Sequence, residues 1–87
     1  MSEDKRVMMY TISTCGFCKA AKAFMNANGV PFEFIDVDLL DREEKRRVLR
    51  EAREAAGMDR ISFPTIVIGD TVIIGFKEYE IRKVLEL

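Results

Sequence analysis

The apolar run Val7-Met8-Met9-Tyr10-Thr11-Ile12 is followed by a segment in which Phe17, Ala21, Phe24 and Met25 recur at helical spacing. The first segment reads as a strand over 5–12 and the second as a helix over 16–28, which Asn28-Gly29 ends with a left-handed stop. After Pro31 the stretch Phe32-Glu33-Phe34-Ile35-Asp36-Val37-Asp38 alternates apolar and polar, as a strand with one face on the core does. Coming after a helical crossover, it is expected to pair parallel to the first strand. Asp41 and Glu44 form a capping box at the start of a helix that runs to Ala56 and stops at Gly57. Its expected buried stripe is Val48, Leu49, Ala52, Ala55 and Ala56. The mixed charges from Arg42 to Glu54 read as a solvated face, with Glu43 and Arg47 in the favourable i,i+4 order. The loop 58–62 leads through Phe63-Pro64-Thr65 into the strand Ile66-Val67-Ile68. Gly69-Asp70 signals a hairpin, and Thr71-Val72-Ile73-Ile74 returns antiparallel. Gly75-Phe76-Lys77 bridges to a last helix over 78–87, with Ile81, Val84 and Leu85 toward the core. The order is βαβ, α, ββα, an α/β arrangement with no repeat, low-complexity tract or linker.

A chain of 87 residues reads as one domain, 1–87, large enough for a modest core. Fourteen Lys plus Arg against fifteen Asp plus Glu leave a net charge of −1. There is no basic tract to follow nucleic-acid phosphates, so nucleic acid is not an expected partner. No run approaches the ~20 apolar residues of a membrane span, so a membrane is not expected either. The polar start Met1-Ser2-Glu3-Asp4-Lys5-Arg6 shows no apolar signal region. The expected setting is cytoplasmic, where a dithiol rests reduced, and the expected state is a monomer.

The chemistry concentrates in Cys15-Gly16-Phe17-Cys18, the only two cysteines of the chain, at the handover from strand to helix. Backbone N–H groups without intrahelical acceptors and the aligned peptide dipoles favour a thiolate at a helix start. Cys15 feels this most and is the expected nucleophile, with Cys18 one turn on as the resolving thiol. Lys19 and Lys22 are the nearby cations in sequence, and exposed charges at that range contribute little. The chain has no histidine, which removes histidine-dependent triads and Cys–His pairs within one chain. Two cysteines also fall short of the four ligands of a closed structural zinc site, so no metal is assigned. The remaining metal option is an ion or cluster shared between two chains. A purely structural disulfide would close almost no loop and so add little stability. Reactivity explains the pair better.

With these residues in view, the chain resembles the glutaredoxins over nearly its whole length. Cys15-Gly16-Phe17-Cys18 matches the place and spacing of their active-site motif, and Phe63-Pro64-Thr65, with Pro64 46 residues after Cys18, matches their cis-proline turn. Gly75-Phe76 falls where the family has a glycine turn before its last helix. The resemblance implies a thioredoxin-like three-layer fold, with a mixed sheet of strand order 2-1-3-4, β3 antiparallel, flanked by three helices. It implies a thiol-disulfide oxidoreductase acting on protein disulfides or glutathione mixed disulfides through a redox-active Cys15–Cys18 disulfide. Pro64 would lie beside Cys15 with its preceding peptide bond cis, and the Phe63 backbone would pair with an incoming peptide or glutathione. Thr14, Phe17, Phe63, Pro64, Gly75 and Phe76 are therefore the expected substrate-binding residues. The electron source would be glutathione, as co-substrate, or thioredoxin reductase or another reductase, with no tightly bound cofactor.

Departures from the pattern refine this. Glutaredoxins commonly carry a lysine where this chain has Ile12, and a second glycine where it has Phe76; both help to hold glutathione. Gly75-Phe76-Lys77 is similar to the Gly-Phe-basic segment of NrdH-type redoxins, which draw electrons from thioredoxin reductase. Gly16 stands where proline is common, which restores an N–H at the helix start. Cys15-Gly16-Phe17 also resembles the Cys-Gly-Phe-Ser motif of cluster-carrying monothiol glutaredoxins, with Cys18 in place of the serine. An iron–sulfur cluster held by Cys15 in a dimer is the alternative function.

Overall fold

The computed structural model describes residues 6–87. Along the chain run β1 (Val7–Thr11), α1 (Gly16–Ala27), β2 (Glu33–Asp36), a 3-10 turn (Val37–Leu39), α2 (Arg42–Ala56), β3 (Thr65–Ile68), β4 (Thr71–Ile74) and α3 (Glu78–Leu85). The sheet order is β2-β1-β3-β4, with β1 parallel to β2 and antiparallel to β3, and β3 antiparallel to β4. This is the thioredoxin-like arrangement that the resemblance implies.

The period of two in β1 and β3 sorts their side chains onto the two sheet faces. Val7, Met9, Ile66 and Ile68 join Ile73 of β4, Ala21, Phe24 and Met25 of α1 and Ile81 of α3 in one core. On the other face Tyr10 joins Val37 and the α2 residues Val48 and Ala52, with Met8, Ile35 and Val67 packed against them. Met9, Met25, Ile66 and Ile81 are fully buried, and burial of each such side chain stabilises by about 1.5–3 kcal/mol. The central position of β1 makes it the scaffold on which the dithiol turn is mounted.

Helix ends follow the capping logic. The Asp41 carboxylate accepts the Glu44 N–H at 2.8 Å, and Gly57 closes α2 in the left-handed region at φ 67°. Arg47, however, pairs with Glu51 at 3.0 Å and with Glu44 at 3.6 Å, one acid on each side of it along α2, and not with the Glu43 that its spacing points to. Ala55 is exposed, because the stripe Val48–Ala52 already covers the narrow face that α2 presents to the sheet. The last helix ends at Leu85, where Glu86 turns into the left-handed region at φ 61° and its N–H bonds back to Lys83 O.

The second strand departs most from its pattern. β2 covers only 33–36, and Glu33 and Phe34 are both exposed. Its place at the sheet edge explains this, since the outer side of an edge strand has no neighbour to cover it. Pairing with β1 ends at Thr11 opposite Asp36, and the chain then tightens into the 3-10 turn, which Leu40 N–H closes onto Val37 O at 3.3 Å. The expected strand start at Lys5 lies outside the described residues.

Candidate active site

β1 delivers the chain at Ile12 to a turn in which the Cys15 N–H donates to Ile12 O at 3.0 Å. Cys15 is the N-cap of α1. Its backbone is extended, at φ −83° and ψ 122°, as that position requires. Its Sγ accepts the Cys18 N–H at 3.2 Å, so a thiol takes the place that a serine or aspartate oxygen holds at other helix starts. That N–H is one of the orphan donors of the first turn, aimed at the sulfur where a thiolate would form.

The two thiols differ sharply in access. Both are free; Cys15 is partly exposed, whereas Cys18 is fully buried. Burial and the hydrogen bond with Cys15 push the Cys18 thiol up to about 11, against the opposing pull of the Ile12 backbone and the Lys22 charge. Cys18 is therefore held as a neutral thiol at neutral pH. One sulfur can meet a substrate and the other waits beneath it.

Opposite the helix start, the Phe63–Pro64 peptide bond is cis, and Cys15 Sγ donates to Phe63 O at 3.9 Å. The Pro64 ring is fully buried, and the group of this turn that meets Cys15 in a hydrogen bond is the Phe63 carbonyl. Two hydrogen bonds hold the turn: Gly75 N–H to Pro64 O at 2.7 Å and Thr65 Oγ1 to Ser62 O at 2.7 Å. Gly75, at φ 94°, suits a backbone that only glycine adopts without strain. It tethers the start of the α3 approach to the Pro64 turn.

The remaining expected site residues divide. Thr14 and Phe17 are exposed beside Cys15, Phe17 to 69 %. Phe76 is half-buried: it packs against the core and meets Phe24 edge-on at 5.8 Å between ring centroids. An aromatic ring one residue after a sheet-end glycine is drawn inward by the apolar gap between α1 and α3. Ile12 packs on the α2 side with the second core.

A polar network beneath the turn carries no sequence motif of its own. The Asp38 carboxylate accepts both the Ser13 N–H at 2.8 Å and the Ser13 hydroxyl at 2.5 Å, and these bonds hold its carboxyl below the usual range. Thr11 is buried, and its hydroxyl donates to Asp36 Oδ1, an oxygen that also accepts the Lys22 ammonium at 3.1 Å. The signal that finds these pairs is the parallel register of β1 and β2, which sets Thr11 opposite Asp36. Among the described residues no buried side-chain nitrogen or oxygen lacks a partner.

Comparison with known proteins agrees with this geometry. The sequence profile of the Glutaredoxin family matches residues 7–73. A glutaredoxin-like 8.6 kDa protein encoded in the rubredoxin operon of Clostridium pasteurianum is 29% identical over 80 residues, 92% of this chain and 97% of that protein. The glutaredoxin of Archaeoglobus fulgidus superposes with a TM-score of 0.85 at 32% identity, covering 95% of this chain and 88% of its own. The NrdH-redoxin of Escherichia coli, described as a glutaredoxin-like protein with a thioredoxin-like activity profile, gives a TM-score of 0.68 at 29% identity, over 90% of this chain and 92% of its own. With sequence profile and fold in agreement across most of its length, this chain belongs to the glutaredoxin family, whose general activity is thiol-disulfide exchange.

Proposed function

We propose that the protein is a dithiol reductase of protein disulfides and glutathione mixed disulfides, working through Cys15 and Cys18. The observation that carries this reading is the inequality of the two thiols: Cys15 is open at a helix start and Cys18 is buried directly behind it. The Cys15 thiolate attacks one sulfur of the substrate, the substrate disulfide breaks, and the departing sulfur takes a proton. Cys18 then attacks Cys15 Sγ and releases the second substrate thiol. The substrate gains two electrons, and the protein is left with a Cys15–Cys18 disulfide for an external reductant to reduce. An extended substrate segment lies along the backbone at Phe63, as an added strand lies along an edge.

Between the two kinds of reductant, the site favours a flavin-linked reductase such as thioredoxin reductase over glutathione. Ile12 and Phe76 are apolar side chains packed against the two cores, so neither supplies the charge or the glycine backbone that would hold a small charged tripeptide. A thioredoxin-like activity profile, as described for the NrdH-redoxin of Escherichia coli, fits these two positions. The deciding experiment is reduction of a model protein disulfide with NADPH plus thioredoxin reductase in one arm and glutathione plus glutathione reductase in the other. Turnover is expected in the first arm and weak or absent turnover in the second. Turnover supported only by glutathione would overturn the preference, and inactivity of fully reduced, folded protein in both arms would overturn the dithiol reading.

A further inference from the structure

We infer that Lys22 is a positioning residue for the resolving step, in which Asp36 and the Phe34 ring fix its ammonium on the Cys18 face of α1. This rests on the dithiol reading above and adds to it the group that assists the second half of the reaction.

Cys18 and Lys22 are four residues apart on α1, so they share one face of that helix. A lysine at that spacing would ordinarily leave its charge in bulk water, where it counts for little. Here it does not. The Lys22 ammonium bonds Asp36 Oδ1 at 3.1 Å and stands 3.8 Å above the centre of the Phe34 ring. Its side chain is only 21 % exposed and that of Asp36 16 %. Thr11, buried on β1, holds the same carboxylate oxygen from the other side. Strand, edge strand and helix thus converge on one ammonium and remove its freedom to swing outward. The exposed Phe34 thereby acquires a role as the ring over which the ammonium is held.

The groups whose charge bears on Cys18 are Cys15 on the motif turn and Lys22 on α1, and Asp36 of β2 acts through its bond to Lys22. Burial and Cys15 oppose ionisation of Cys18, and Lys22 favours it. In the mixed disulfide, Cys18 gives its proton to water and its thiolate attacks Cys15 Sγ. The Cys15–Cys18 bond forms, the bond from Cys15 to the substrate sulfur breaks, and the electron pair leaves on that sulfur, which takes up a proton. The cysteine pair is oxidised by two electrons and the substrate sulfur reduced. A positive charge held one helical turn from Cys18 favours its thiolate against the burial that suppresses it.

The test is a single turnover of the reduced native chain with excess of a chromogenic aromatic disulfide. The first thiol released reports attack by Cys15 and the second reports resolution by Cys18. One pKa unit changes the thiolate fraction tenfold, and the accompanying gain in nucleophilicity reduces the net effect to about threefold. In Lys22→Met the ratio of second-phase to first-phase rate is expected to fall, by about threefold for each pKa unit that the Cys18 thiol moves up. Lys22→Arg, which keeps the charge, is expected to restore the ratio. An unchanged ratio in Lys22→Met would overturn the inference, as would an Arg variant as slow as the Met variant, which would mark the tether and not the charge. A native chain that releases no first thiol would instead overturn the dithiol reading and this inference with it.

Discussion

Cys18 donates its backbone N–H to the Sγ of Cys15 at 3.2 Å, so the helix that buries one thiol is capped by the other. Structure and reactivity are joined in that one contact, because a change at Cys15 alters both the nucleophile and the cap of α1.

Serine substitutions separate the two roles. Serine is itself a good N-cap, so Cys15→Ser is expected to keep α1 and to change stability by less than ~0.5 kcal/mol while abolishing disulfide reduction. Cys18→Ser keeps the nucleophile and removes the resolving thiol, so mixed disulfides should accumulate as a mass increase of the intact protein. Turnover measurements and mass spectrometry on both variants check this, and sustained protein-disulfide turnover by both would refute the assigned roles.

The buried thiol also gives stability a pH dependence. The folded chain holds the Cys18 proton up to about 11, against an ordinary value of 9.0. Between these values the unfolded chain has released a proton that the folded chain retains, so the contribution is complete below 9.0 and shrinks as pH rises toward 11. Urea unfolding of the reduced protein should therefore show midpoints falling from about pH 9 upward. Cys18→Ala should lose that part of the slope, whatever its stability at neutral pH.

Asp38 acts in the opposite pH range. Its carboxylate is held below the ordinary 3.8 by the Ser13 N–H and hydroxyl, so its contribution is present above that value and is lost as pH falls through the lowered one. Asp38→Asn should flatten the acid side of the stability curve measured by thermal unfolding. The same bonds pin Ser13, two residues before Cys15, so the variant should also slow alkylation of Cys15 by iodoacetamide at neutral pH.

The legible parts of this chain were those in which local pattern and tertiary demand coincide. The apolar runs of β1 and β3, the Asp41 cap and the Gly57 stop are decided within a few residues, and the structure carries each of them. β2 was less legible, because Phe32-Glu33-Phe34 alternates like a half-buried strand while its edge position leaves Phe34 45 % exposed. The contact of Phe76 with Phe24 was not legible either, because it joins the start of the α3 approach to α1 across the core. The Thr11–Asp36–Lys22 and Ser13–Asp38 contacts depend on the register of strands that are distant in sequence. No local window contains both partners, so only the assembled sheet reveals them.

Loss of the α2 cap offers a test of local stability away from the dithiol. Asp41→Ala removes the acceptor of the Glu44 N–H and should cost about 1 kcal/mol, with redox turnover unchanged. Gly57→Ala should cost a comparable ~1 kcal/mol, because residue 57 sits at φ 67° and a Cβ there is strained even with open space around it. Denaturant midpoints of the two variants and of their combination check both values. The two ends of α2 lie far enough apart for the losses to add.

Phe17 distinguishes recognition from catalysis. Its ring is 69 % exposed, one residue before Cys18, so Phe17→Ala removes little buried surface and should leave stability within ~0.5 kcal/mol. If the ring is a contact for protein substrates, its loss should raise KM for a protein disulfide by up to about tenfold, corresponding to ~1.4 kcal/mol, and leave kcat in place. A low-molecular-weight disulfide, too short to reach past the sulfur, should react at the native rate. Equal losses on both substrates would instead mean that Phe17 shapes the first turn of α1 and with it the reactivity of Cys15. The paired kinetics therefore decide whether that exposed aromatic belongs to the binding surface or to the helix start.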